Sequence, residues 1–141
     1  MRQQLWPEEG RDDPADLARM HVPCTVLVAE RAGAPIGFAE ATIRSVVDGL
    51  YFEPAAYLEG IWVALEARRQ GVATALLAAV VEWARAQGVN GIGSDAHADN
   101  AESIAWHRTV GFVVESEVVK FTRALGPMPL AGGAAAPLEF D

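Results

Sequence analysis

Cysteine is almost absent from this chain. Cys24 is the only one in 141 residues. A lone thiol cannot close an intramolecular disulfide, and a cysteine-rich zinc site is excluded. Its ordinary role is that of a small buried hydrophobe, and no metal is expected. Long apolar runs are lacking too. Nothing approaches the roughly 20 residues that span a bilayer, and the first residues carry no signal-peptide pattern. A soluble, cytoplasmic protein with no membrane partner is expected. Cations are scarce: 11 Lys and Arg stand against 19 Asp and Glu, for a formal net charge of −8. Binding to a phosphate backbone needs a basic face, so nucleic acid is not expected as a partner. An acidic field raises the local concentration of cationic ligands, and it also serves solubility.

What is present describes a packed domain. Hydrophobic residues make up 51% of the chain, enough for a core rather than disorder. The length suits one domain. No internal repeat is found. Composition shifts only after Leu125: Gly126 to Asp141 is rich in Gly, Pro and Ala and reads as a disordered tail, leaving residues 1–125 as the domain.

Local signals order the elements. Asp13 followed by Pro14 starts a helix, with a cap and then proline at the first helical position. Thr25–Glu30 and Pro35–Arg44 form a hairpin about Arg31 to Ala34. Val46–Tyr57 is irregular, and Leu58–Leu65 is a strand. Gly71–Ala86 is a helix, because Val72, Leu76, Ala79, Val80 and Trp83 recur at helical spacing before Gln87-Gly88. Val89–Ser94 is a short strand. Asp99 and Glu102 suit a capping box for a helix running to Val110, and Phe112–Leu125 returns to strand. Strands mixed with helices in this order define an α/β (α+β) layer fold.

The chemistry concentrates where a strand turns into a helix. Ile61-Trp62-Val63 leads to Arg68, Arg69, Gln70, Gly71, Val72, Ala73 and Thr74. A helix N-terminus offers unpaired N–H groups and partial positive charge, which match a pyrophosphate. Gly71 and Ala73 keep the approach clear, and the two arginines suit phosphate geometry. No lysine follows a glycine in the frame of the usual nucleotide phosphate loop. On this evidence alone, a phosphate site and a tight connection both remain open.

Arg68-x-x-Gly71-x-Ala73 after the strand ending at Val63, then Asn100, then Gly111-Phe112, resembles the GNAT superfamily of N-acetyltransferases. The resemblance spans about Leu5 to Leu125. It implies a mixed, mostly antiparallel sheet splayed into a V, with flanking helices and acetyl-CoA in the split. It further implies that backbone groups of Ile61, Trp62 and Val63 meet the pantetheine arm. The loop Arg68–Thr74 would hold the pyrophosphate, and Asn100 would face the cofactor.

Finer matches point to the aminoglycoside 6'-N-acetyltransferase branch: Tyr57-Leu58-Glu59-Gly60-Ile61-Trp62-Val63, Ser94-Asp95-Ala96, Leu5-Trp6-Pro7, and His107 where most of the superfamily has tyrosine. An acceptor amine is mostly protonated at neutral pH and must lose a proton before it attacks a thioester. A carboxylate can accept that proton directly or through water. Asp95 is the candidate for contact with the amine, and Glu59 for its electrostatic partner or a water-relayed base. The alternatives are that Asp95 caps the next turn and that Glu59 pairs with Arg44. His107 reads as a catalytic acid or as a satisfied core histidine. A thiolate with pKa near ~8.5 leaves with little help, so an acid is optional. Trp6, Tyr51, Phe52, Tyr57, Asp48, Glu53 and Glu115 complete the candidate acceptor cleft, with packing or solvated faces as their alternative.

The match has two departures. The family places a strand and part of a helix before Leu5-Trp6-Pro7, so the domain is expected to lack its first strand. The stretch after Leu125 has no counterpart. Alternative activities are acetylation of a polyamine or amino sugar, and non-catalytic acyl-CoA binding by a truncated product. A homodimer is expected by resemblance.

Overall fold

The computed structural model describes residues 22–51, 54–123 and 125–126. The helix expected at Asp13-Pro14 lies outside these residues, as does nearly all of the tail.

Four strands form one sheet: β1 (Cys24–Arg31), β2 (Ala34–Arg44), β3 (Ala55–Val63) and β4 (Ile92–Ser94), in that spatial order. β1 and β2 are joined by Ala32-Gly33, both at positive φ (51° and 78°), the geometry of a two-residue hairpin turn. β2 and β3 are antiparallel, whereas β3 and β4 are parallel. A parallel pair needs a crossover, supplied here by helix α1 (Val72–Ala86). A 3-10 turn, Leu65–Ala67, connects β3 to the loop before it. Helix α2 (Ala101–Thr109) follows β4.

The sequence period and the core agree. α1 lays Leu76, Leu77 and Val80 on the sheet face made by Ala39, Ala41, Leu58 and Val63, all buried. Burial of each large aliphatic side chain contributes about 1.5–3 kcal/mol. Alanines on β2 and β3 keep the sheet surface low, so the helix sits close.

Four expectations need correction. β3 starts at Ala55, three residues before Leu58, because it keeps a continuous ladder with β2 down to Arg44. Leu65 falls in the 3-10 turn instead of the strand. α2 is capped by Asn100 and not Asp99: the Asn100 side-chain oxygen accepts the Ser103 N–H at 3.0 Å. Most consequentially, Phe112–Arg123 is not a strand. Its β-rich sequence has no ladder partner among the described residues, and a strand exists only through such pairing. Val113, Val119 and Phe121 are exposed along it.

Candidate active site

The site begins where two strands part. β3 and β4 pair at Ala56, Tyr57 and Leu58, opposite Ile92, Gly93 and Ser94, and pairing ends there. β2 keeps its ladder with β3 as far as Val63. Glu59 to Val63 therefore turn one backbone edge to no strand among the described residues. This fork is the split sheet.

Its floor is tied by polar groups. Ser94, the last residue of β4, donates from Oγ to the Leu58 carbonyl at 3.2 Å. His107 Nε2 lies 3.0 Å from the same Oγ, and Nδ1 lies 2.7 Å from the Ser103 carbonyl oxygen. A carbonyl only accepts, so Nδ1 carries the hydrogen. The imidazole also stands edge-on to Trp106 and Phe112. His107 thus stands at the crotch of the fork between Ser103 of α2 and Ser94 of β4, whose one hydroxyl hydrogen serves either Nε2 or the Leu58 carbonyl.

On one side of the fork lies the loop before α1. Gly71 adopts φ 80° as the residue preceding the helix, where a side chain would be strained, and a Cβ there would meet nothing within 4 Å. That open space lies beside the first helical turn, where a bound phosphate would meet the N–H groups of Val72, Ala73 and Thr74. Arg69 adopts φ 56° and is exposed beside it. Gln70 is fixed by accepting from Arg31 at 2.8 Å and donating to the Glu66 carbonyl at 2.9 Å. Arg68 spans the fork: Nε donates to the Val63 carbonyl at 3.0 Å, and Nη1 reaches Glu102 of α2 at 3.9 Å. One lone pair of that carbonyl, expected to face pantetheine, is thus in use. Asn100 spends its side chain on the α2 cap. An open β3 edge running to a clear, cationic helix start fits a coenzyme A chain. Arg68 to Thr74 would hold its phosphates, and Ile61 to Val63 its arm. The bound group supplies the activated acetyl thioester.

On the other side the two expected carboxylates meet cations of the protein itself. Glu59 takes Arg44 in a two-pronged pair, Nη2 to Oε2 at 2.7 Å and Nε to Oε1 at 3.1 Å, and accepts the Thr42 hydroxyl as well. Thr42 faces Tyr57 in the ladder, one diagonal step from Glu59. The Arg44 guanidinium also lies 3.5 Å above the Tyr57 ring. Asp95, just past β4, accepts from Tyr57 Oη at 2.7 Å and from Lys120 Nζ at 3.2 Å, both on Oδ2.

These contacts set the protonation. Burial pushes the Asp95 carboxyl upward, but the Tyr57 and Lys120 hydrogen bonds and the charges of Lys120 and Arg44 outweigh it and hold Asp95 below its ordinary 3.8. Burial first, then the Asp95 carboxylate, pushes Tyr57 up to about 12. At neutral pH Asp95 is an anion and Tyr57 a neutral donor. So weak a base is better suited to holding an ammonium than to stripping its proton unaided.

Glu115 lies against Gly49 in the loop before β3, where an added Cβ would come within 2.4 Å of it. Trp6, Phe52 and Glu53 lie outside the described residues. Tyr51 and Asp48 are exposed on the loop. Three residues of this cluster, Thr42, Ser94 and Lys120, escaped assignment from sequence, whereas the pairing of Arg44 with Glu59 was among the readings and is present. Thr42 and Ser94 could be found only through strand register. Lys120 sits in a segment whose pattern reads as an ordinary strand, and the Arg44 stacking on Tyr57 left no signal.

A model of the acetyltransferase (GNAT) family matches residues 1–112, and the chain belongs to this family. Among curated relatives, the Serratia marcescens aminoglycoside N(6')-acetyltransferase type 1 is 35% identical over 131 residues, covering 89% of this chain and 90% of that protein. The Salmonella typhimurium enzyme of the same name is 38% identical over 131 residues, covering 87% of each. Among solved structures, AAC(6')-Iy in complex with the bisubstrate analog CoA-S-monomethyl-acetylneamine superposes with a TM-score of 0.78 at 34% identity, covering 88% and 87% of the two chains. AAC(6')-Ih from Acinetobacter baumannii gives 0.75 at 34% identity, covering 89% and 88%.

Proposed function

We propose that this protein transfers the acetyl group of acetyl-CoA to the 6'-amine of aminoglycosides. The observation that carries the reading is the position of Asp95. An ionised carboxylate, oriented by Tyr57, stands immediately past the end of β4 at the fork that suits the thioester arm. The identity to 6'-acetyltransferases over nearly nine-tenths of the chain supports the acceptor class. In this reading Asp95 holds the protonated amine, whose proton passes through water to a carboxylate of the cleft before the nitrogen attacks the thioester. Glu59 with Arg44 shapes the neighbouring wall. Arg68 to Thr74 and the β3 edge orient the cofactor, and His107 holds the floor through Ser94.

The reading extends to a cytoplasmic enzyme acting as a homodimer. No helix among the described residues is long and apolar enough to cross a membrane. The apolar residues exposed on 112–123 suit contact with a second copy. Light scattering on the purified protein at micromolar concentration should give twice the 15.0 kDa chain mass.

The activity is tested by thiol release from acetyl-CoA with kanamycin, spermidine, glucosamine and no acceptor. Release with kanamycin well above the others is expected. Faster release with spermidine or glucosamine would move the acceptor class, and silence with coenzyme A still bound would leave a binding protein.

A further inference from the structure

Each carboxylate of the acceptor cleft already has a cation, but the two cations are held differently. Arg44 is fixed by two prongs on Glu59 and by the face of Tyr57. Among the described residues Lys120 makes a single contact, to Asp95, and rides on a segment that belongs to no ladder; its side chain is 74% exposed. An ammonium on a flexible stem is the more displaceable cation. Its Nζ also has the same charge, donor number and partner atom as an acceptor amine approaching Asp95. We propose that Lys120 is an acceptor-site residue: it occupies the acceptor's ammonium position on Asp95 and must be exchanged for the incoming amine.

The proposal rests on the reading of Asp95 as the acceptor anchor. Exchange has a consequence for selectivity. A monoamine replaces one positive charge by another and gains little. A polyamine acceptor makes the same exchange and keeps further ammonium groups for the acidic surroundings of the cleft. The exchange thus sets one threshold for every acceptor amine, which a polycation clears through its further ammonium groups and a small monoamine does not.

The test is calorimetric binding of tobramycin and of glucosamine to protein saturated with coenzyme A, which excludes turnover. The proteins are wild type, Lys120→Met, Lys120→Arg, Asp95→Asn and the Lys120→Met/Asp95→Asn double variant. Exposed ion pairs of this kind correspond to about two- to five-fold in affinity. Lys120→Met is expected to tighten tobramycin by about that factor. It should tighten glucosamine by the same factor, because both amines displace the same ammonium, while Lys120→Arg stays near wild type. In the Asp95→Asn background the Lys120→Met change should vanish. Unchanged or weaker binding by Lys120→Met, with Asp95→Asn still impaired, overturns the exchange and leaves the anchor standing. Wild-type affinity in Asp95→Asn removes the anchor and the exchange with it.

Discussion

At the scale of the residue, the centre of the account is a carboxylate that stays charged. Asp95 is held below 3.8 by Tyr57, Lys120 and Arg44 against the upward push of burial. Replacing it by asparagine keeps the shape and removes the charge. Hydrogen bonds to charged groups contribute about 1.5–3 kcal/mol. Asp95→Asn should therefore lower kcat/KM for kanamycin by roughly 10- to 100-fold while the acetyl-CoA KM holds, measured by initial rates. The Tyr57 hydroxyl makes a narrower case. Tyr57→Phe removes a donor that favours the anion, so the Asp95 carboxyl rises. The acidic limb of the pH–rate profile should move to higher pH, and a limb that stays in place would show that Asp95 does not govern it. Linkage has the same signs. The lowered carboxyl contributes stability above its unfolded value, and that stability is lost as pH falls through the folded value. Tyr57, raised from 10.0 to about 12, contributes stability that is lost as pH rises through that range. Tyr57→Phe should flatten the alkaline side of a denaturation series.

At the scale of the element, the fork and the α1 start carry the cofactor reading. Gly71 stands at φ 80° with open space beyond it, so Gly71→Ala clashes with nothing in the protein itself. The strain of a left-handed alanine should cost about 1–2 kcal/mol. The new methyl would also enter the space reserved for phosphate, so coenzyme A affinity should fall by more than stability explains. Calorimetry and urea unfolding on the same sample separate the two. Leu58, at 2% exposure, is the last residue of β3 before the fork. Leu58→Ala should cost about 2–5 kcal/mol in the same unfolding measurement.

Elements are also where the sequence was most and least legible. α1 announced itself through five apolar residues at helical spacing, and β2 through its β-rich run after a turn. The candidate pyrophosphate loop could be proposed from sequence because Arg68, Gly71 and Ala73 lie close together in the chain, directly at a helix start. The pairing of Tyr57 with Asp95 is not local: it depends on the parallel register that sets Leu58 against Ser94. The segment 112–123 misled because its alternation is that of a strand, while the pairing that makes a strand lies outside it. Asp99 and Asn100 compete for one cap, and only the backbone geometry chooses between them.

At the scale of the whole molecule, the excess of negative charge and the paired cleft act at different ranges. The formal charge of −8 attracts a polycation from solution. Inside the cleft Arg44 and Lys120 cancel the nearest anions, so recognition there depends on exchange more than on bulk attraction. Added salt screens only the long-range field, so it should slow acceptor capture and raise the aminoglycoside KM, with a smaller effect on kcat. Bound coenzyme A at about a hundredfold over its Kd should raise the unfolding free energy by about 2.7 kcal/mol. These two effects belong to the assembled fork and to no single side chain.

The central claim is the position of transfer, and the direct measurement is NMR of the product formed from kanamycin and acetyl-CoA. The account predicts one new acetyl amide, on the 6'-nitrogen, and no product from the analogue bearing a 6'-hydroxyl. An acetyl group on a different nitrogen, or equal turnover of the hydroxyl analogue, would contradict it.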